Sequence, residues 1–175
     1  MATVKTDTKS DQAKAQENFR EILGKFDQAM LITHSTQTGL RGRPMAIAEI
    51  ASDGSIWFIT GADTSKVDEA MQYPNIMAVM QSTAKYLSVS GEASIERDRA
   101  HVARLWKDSY KVWFQGGKDD PNIVLLQLKP HEAEYWDNSG MSGLKFALQY
   151  AKAYVTGKEL KPGDESVDQH AKVRM

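Results

Sequence analysis

The sequence predicts a mainly β fold: about six strands, joined mostly as antiparallel neighbours into a β-barrel or an α+β sheet, with helices at the ends and in two connections. Short runs rich in β-branched and aromatic residues recur between turn signals, as in "AMLITHS" and "SIWFIT". The stretch "KYLSVSGEASIE" (85–96) alternates cleanly. Leu87, Val89, Gly91, Ala93 and Ile95 fall on one side and Tyr86, Ser88, Ser90, Glu92 and Ser94 on the other, a strand with one dry and one wet face. The strands do not alternate regularly with long helices, which disfavours a parallel doubly wound sheet.

Taken in order, residues 1–11 are polar and read as a flexible N-terminus. Ala15, Phe19, Ile22, Leu23 and Phe26 recur at helical spacing, an amphipathic helix ending near residues 24–26. Residues 29–35 read as a strand, 36–42 ("TQTGLRG") as a turn and 43–51 ("RPMAIAEIA") as a second strand. The tight-turn signal "SDG" leads into 55–60, so 43–60 reads as a hairpin. Val67, Ala70 and Met71 then mark a helix, stopped by Pro74-Asn75. Strands follow at 75–81 and 85–96, and Asp98 caps a short helix carrying Val102, Leu105 and Trp106. A Gly-rich loop (114–122) precedes a long strand, 123–137, bent at Pro130. Leu144, Ala147, Leu148, Ala151, Tyr154 and Val155 mark a further amphipathic helix, and 158–175 read as a loose polar tail. One domain, residues 12–157, is expected for a chain of 175 residues.

The bulk numbers exclude several classes of function. A net charge of −1 argues against a dedicated nucleic-acid binder. No run approaches the length of a transmembrane helix, and the N-terminus has no secretory h-region. The absence of cysteine removes disulfides and thiol chemistry and is compatible with a cytoplasmic home. His34, His101, His131 and His170 show no metal-ligand spacing, so no metal site is expected. Neither GxGxxG nor GxxxxGK[ST] is present, and no paired acid and base stands out.

One constellation remains. "IWFITGADTSKVDEAM" (56–71) runs from strand to helix, with Thr60 at the strand end and Ser65 and Lys66 at the helix start. A helix N-terminus offers free N–H groups and partial positive charge, which suit a phosphate. Ser65 three residues before Asp68 also fits a capping-box variant, so a plainly capped helix stays open. Arg41 and Arg43 start the preceding strand, and a hairpin would bring Arg43 beside Thr60–Lys66. The alternative is that these cations are solvated or paired with Asp63 and Asp68.

"RGRPMAIAEI", then "IWFITGADTSKVDEAMQYPNIMAVM", "KYLSVSGEASI" and "EAEYWD", over residues 15–157, resemble the FMN-binding split-barrel family of pyridoxamine 5′-phosphate oxidase-like proteins, in its bacterial general stress protein 26-like branch. The resemblance implies a six-stranded antiparallel split β-barrel of Greek-key type with flanking helices. It also implies a cytoplasmic homodimer with FMN at its interface. By the resemblance, Arg43, Pro44, Met45 and Ala46 face the flavin; Ile59 and Thr60 lie beside the ribityl chain and phosphate; Ser65 and Lys66 bind the phosphate; Tyr86 takes the place of a flavin-side glutamine; and Trp136 is the aromatic of the last strand. The cluster Trp106, Tyr110, Trp113 and Phe114, through Gly117, is expected to wall the flavin from the partner chain. True oxidases carry substrate-holding arginines after that tryptophan, whereas residues 137–151 here hold none, which argues against pyridoxamine phosphate as substrate. The expectation is a stress-related, FMN-dependent oxidoreductase. A non-catalytic flavin-sensing module is the alternative, as is a binder of FAD or the deazaflavin F420.

Overall fold

The computed structural model describes residues 9–137 and 170–174, with side chains from residue 16 to residue 137. Among these residues it is an antiparallel sheet curled into a split barrel and flanked by three α-helices. The elements are α1 (Lys9–Leu23), β1 (Gln28–Ser35), β2 (Gly39–Ala46), β3 (Glu49–Ile50), β4 (Ile56–Gly61), α2 (Ser65–Gln72), β5 (Asn75–Gln81), β6 (Lys85–Glu96), α3 (Arg99–Leu105), β7 (Ile123–Asp137) and β8 (His170–Arg174). The sheet order is β2-β1-β5-β6-β7-β4-β3, with β8 added to the far half of β7. No helix among the described residues is long and apolar enough to cross a membrane.

The second strand differs from the sequence reading. β2 begins at Gly39, not Arg43, and pairs along its whole length with β1, from Gln28↔Ala46 to Ser35↔Gly39. Only residues 36–38 turn, helped by Gly39 at φ 75°. β2 is an edge strand with most of its residues exposed, so it needs no apolar alternation and carries no strand signature. Nor does it run on to residue 51. The Ile47 N–H bonds Asp27 O at 2.8 Å, and the next N–H, of Ala48, bonds Trp57 O at 2.8 Å. Within two residues the chain leaves β1 and joins β4, and β3 then pairs with β4. This crossing from one half of the barrel to the other is the split.

β7 is the spine. Its first half pairs with β4, its full length with β6 and its second half with β8. The expected bend at Pro130 is a register shift between Ser90 and Gly91 on β6, where a proline that cannot donate interrupts the ladder. Residues 170–174 are strand rather than loose tail, because an edge strand can be held by backbone pairing alone. Trp136 therefore is not on the last strand. α1 already begins at Lys9. The helix read at 144–155 lies outside the described residues.

The main core gathers Phe19 and Leu23 of α1 with Leu31, Phe58, Met80, Leu87, Leu126 and Leu128 inside the barrel. Phe19 and Phe58 are fully buried, and truncating either to alanine would cost about 3–5 kcal/mol. A second cluster lies outside β4 and β7: Trp57, Ile59, Leu125, Val102, Leu105, Tyr110 and Phe114. It anchors the 106–114 segment against the strand that ends at Thr60.

Candidate functional site

β4 is buried throughout and ends at Gly61. A Cβ at Gly61 would lie 2.9 Å from Asp63 Oδ1 and 3.0 Å from Asn122 Nδ2, so a side chain here would displace the Asn122–Asp63 hydrogen bond (2.8 Å) that closes the turn into α2. The N-cap of α2 is Thr64, not Ser65, and its hydroxyl donates to Gly61 O (2.8 Å) rather than capping the helix. Val67 N–H and Asp68 N–H bond Thr64 O, and with no side-chain cap the Ser65 and Lys66 N–H groups are left for solvent or a ligand. The capping-box reading of Ser65 does not hold.

Lys66 folds back over this turn and donates to Thr60 Oγ1 at 3.0 Å. Burial, then the nearby Arg43 charge, hold its ammonium below the usual lysine range against the pull of Asp63 and Glu69. Among the described residues it makes no ion pair with a carboxylate. A partly desolvated cation with no carboxylate partner among the described residues, beside a hydroxyl and a helix start without a side-chain cap, is matched to an anion.

Arg43 has a different setting. Its Nη1 donates to Thr33 Oγ1 (2.7 Å), and its Nη2 donates to Ser65 Oγ (3.2 Å) and Glu69 Oε1 (2.9 Å). Thr33 in turn donates to Glu69 Oε2 at 2.5 Å. Burial pushes the Glu69 carboxyl up, but the bonds from Thr33 and Arg43 and the charges of Arg43 and Arg41 outweigh it and hold the group below the usual carboxylate range. Arg43 and Ser65 do meet at the helix start, as the constellation required, but Glu69 already balances the arginine. They meet through the β1–β2 pairing and the seating of α2 on β1, not through a β2–β4 hairpin.

A cleft of about 540 Å³ opens between these elements, within the range of small-molecule sites. Pro44, Met45 and Ala46 form one wall; Ile59, Thr60, Gly61, Asp63, Thr64 and Lys66 the floor; and Tyr110, Trp113, Phe114 and Asn122 the other wall. Of the residues singled out in the sequence, the structure thus brings together Pro44, Met45, Ala46, Ile59, Thr60, Lys66, Tyr110, Trp113 and Phe114, while Trp106 is not in the lining. Arg43 and Ser65 adjoin the Lys66 end without lining it. Tyr86 and Trp136 are cross-strand partners on β6 and β7 and stand apart from the lining. Gly117 adopts φ 70° in the turn after Trp113, also apart from it.

The aromatic segment divides. Tyr110 and Phe114 are buried in the second cluster beside Trp106, and only Trp113 stands exposed, at 69%. The sequence reading missed Thr33 and Glu69. Thr33 carried a signal, being a polar residue in the inward register between Leu31 and Ser35. Asn122 had no local signal, because it returns to β4 only in the folded chain, whereas Tyr110 and Phe114 belong to the aromatic cluster that the sequence did single out and line the cleft within the same chain.

This fold and cleft define a split-barrel protein with a phosphate-ready turn. The chain belongs to the pyridoxamine 5′-phosphate oxidase-like family, whose profile matches residues 14–161. Its relatives place it with the general stress protein 26 group. It is 31% identical over 142 residues to protein bli-3 of Neurospora crassa, covering 74% of this chain and 68% of that protein. To general stress protein 26 of Bacillus subtilis it is 29% identical over 83 residues, 45% of this chain and 59% of that protein. The fungal relative carries the group beyond the bacteria expected from sequence. Among solved structures, the general stress FMN/FAD binding protein of Xanthomonas citri superposes with a TM-score of 0.63 at 32% identity, covering 73% of this chain and 92% of that one. A candidate general stress protein 26 from Jannaschia sp. CCS1 gives 0.68 at 25% identity, covering 93% and 99%.

Proposed function

We propose that this protein binds a flavin, FMN foremost, in the Pro44–Trp113 cleft and serves as a flavin-dependent oxidoreductase of the stress response. The observation that carries the reading is Lys66: a half-buried cation that makes no ion pair among the described residues, bonded to Thr60 and set at a helix start with no side-chain cap. A phosphate would take bonds from the Lys66 ammonium, the Thr60 hydroxyl and the Ser65 and Lys66 N–H groups. The ring would lie among Met45, Ala46, Ile59 and the aromatic wall. When bound, the flavin supplies the redox chemistry, and the chain supplies position and exclusion of water. The Xanthomonas relative, described as binding FMN or FAD, supports a flavin and leaves FAD as the second candidate.

A homodimer is part of this reading. The outer faces of β2, β1 and β5 join Leu40, Pro44, Met30, Ile32, Met77 and Val79 into one apolar surface, with Met30 43% and Met77 37% exposed. Pro44 belongs both to that surface and to the cleft, so a second copy seated there would reach the rim of the flavin site. The aromatic wall, however, comes from the same chain as Pro44–Ala46.

The test is the visible spectrum of the purified protein with and without added FMN, followed by mass spectrometry of the released cofactor to separate FMN, FAD and F420. Turnover of NADH or NADPH with an artificial acceptor separates the oxidoreductase from a flavin-sensing module. A colourless protein that leaves the FMN spectrum unchanged overturns the reading.

A further inference from the structure

We infer that the Tyr110 hydroxyl is the hydrogen-bond donor for the non-phosphate part of the molecule held in the cleft. This deepens the flavin reading and rests on it. Tyr110 lies in the 3-10 turn of residues 108–112, packed edge-on to Trp106 with ring centroids 5.7 Å apart. The residue is 6% exposed and borders the cleft, and its oxygen, itself shielded from solvent, has no hydrogen-bond partner among the described residues. Buried hydroxyls are almost always bonded, and leaving one unbonded weakens the fold. The surrounding cluster of Trp57, Ile59, Val102, Leu105, Phe114, Ile123 and Leu125 is apolar. A phenylalanine would fill the same space without that penalty, so packing does not account for the oxygen.

The cleft that this residue borders offers a place for the missing partner, reached by a small shift of the ring. The phosphate end has its own donors in Lys66 and Thr60. Tyr110 stands on the aromatic wall with Trp113 and Phe114, which suits a flat ring with polar edges. Burial also pushes the phenol up, so it stays a protonated donor through the physiological range.

The experiment titrates FMN and riboflavin, which lacks the phosphate, into the parent, Tyr110→Phe and Lys66→Met proteins, read by flavin fluorescence. Thermal melts of the ligand-free proteins run alongside. Tyr110→Phe is expected to weaken both ligands by a similar factor, roughly 3- to 10-fold, the worth of one neutral hydrogen bond. Lys66→Met is expected to weaken FMN alone. The ligand-free Tyr110→Phe protein should melt at or above the parent's temperature, because an unpaired donor has been removed. Tyr110→Phe binding both ligands like the parent, while Lys66→Met still separates them, overturns this inference and leaves the flavin reading standing. So does a loss confined to FMN, or a lower melting point with unchanged affinity, the mark of a hydroxyl serving the fold through a buried water. A parent that binds neither ligand overturns both.

Discussion

Arg43 Nη2 reaches both oxygens of Glu69, Oε1 at 2.9 Å and Oε2 at 2.8 Å, and so ties edge strand β2 to helix α2 across β1. The pair is mostly buried, with 17% and 10% of the side chains exposed, and Thr33 bonds both partners. Removing one partner leaves the other charge buried and unmatched. Glu69→Ala should therefore cost about 2–4 kcal/mol, somewhat under the range for a fully buried pair because Arg43 keeps some access to water. Arg43→Ala should lose stability and ligand affinity together. Because Glu69 is held below the usual carboxylate range when folded, its contribution is full above the unfolded pKa and is lost as pH falls through the folded one. Urea midpoints from pH 7 down to pH 3 should decline in the parent and decline less in Glu69→Gln. Equal slopes would place the acid sensitivity elsewhere.

Lys66 gives the opposite pH sign. Its free ammonium titrates below the usual lysine range, and a bound phosphate would draw it back up. Its share of FMN affinity should be full below the free-protein pKa and fall as pH rises from there toward the pKa of the complex. Below about pH 6 the phosphate itself takes up a proton, and binding weakens from that side as well. Lys66→Met should lose about 1–3 kcal/mol of FMN binding near neutrality and flatten the alkaline limb alone. Calorimetric titrations between pH 6 and 10 decide it; an unaltered alkaline limb in the variant would remove Lys66 from the phosphate site.

At Gly91 the backbone leaves no room for a side chain. A Cβ there would sit 2.0 Å from Lys129 O and 2.8 Å from Lys129 C, both main-chain atoms of β7. Gly91→Ala must push β6 and β7 apart at the bulge, at a cost of roughly 3 kcal/mol or more. Chemical denaturation of the variant should show a lower midpoint with little change in slope. A midpoint within experimental error of the parent's would mean the bulge can move elsewhere.

Much of the fold was legible where local chemistry decides it. The alternation of 85–96, the buried run 56–60 and the strand–turn–helix at 60–66 all depend on neighbours in sequence, and each stands as read. What escaped depends on distant partners. β2 is extended because β1 offers it a ladder, and its exposure removed the apolar pattern that would mark a strand. Glu69 looked like a surface helix residue until Thr33 and Arg43 arrived from 36 and 26 positions away. The candidate site followed the same division: Thr60 and Lys66 are a local motif and the aromatic run at 106–114 stood out as a cluster, whereas Asn122 reaches the cleft only through packing on β4.

The assembly prediction follows from the apolar outer face. Met30 lies opposite both Pro44 and Val79, and Ile32 lies opposite Met77, so three strands present one continuous apolar band. Isolated exposed methionines need no explanation, but a contiguous band beside a ligand cleft marks a contact surface. A second copy seated on it would make a self-complementary, closed interface. Light scattering should then give a mass near twice 19.5 kDa. Met77→Glu, a change at a partly exposed position that should cost the isolated fold little, would put an uncompensated charge in the middle of the contact. It should weaken the dimer at least tenfold and leave the thermal stability of the dissociated chain within about 0.5 kcal/mol of the parent. Because Pro44 joins the band to the cleft, FMN occupancy should fall with dissociation, in Met77→Glu at once and in the parent on dilution. A chain that stays monomeric and fully loaded with FMN would show that the cleft is complete within one copy and that the band serves another purpose.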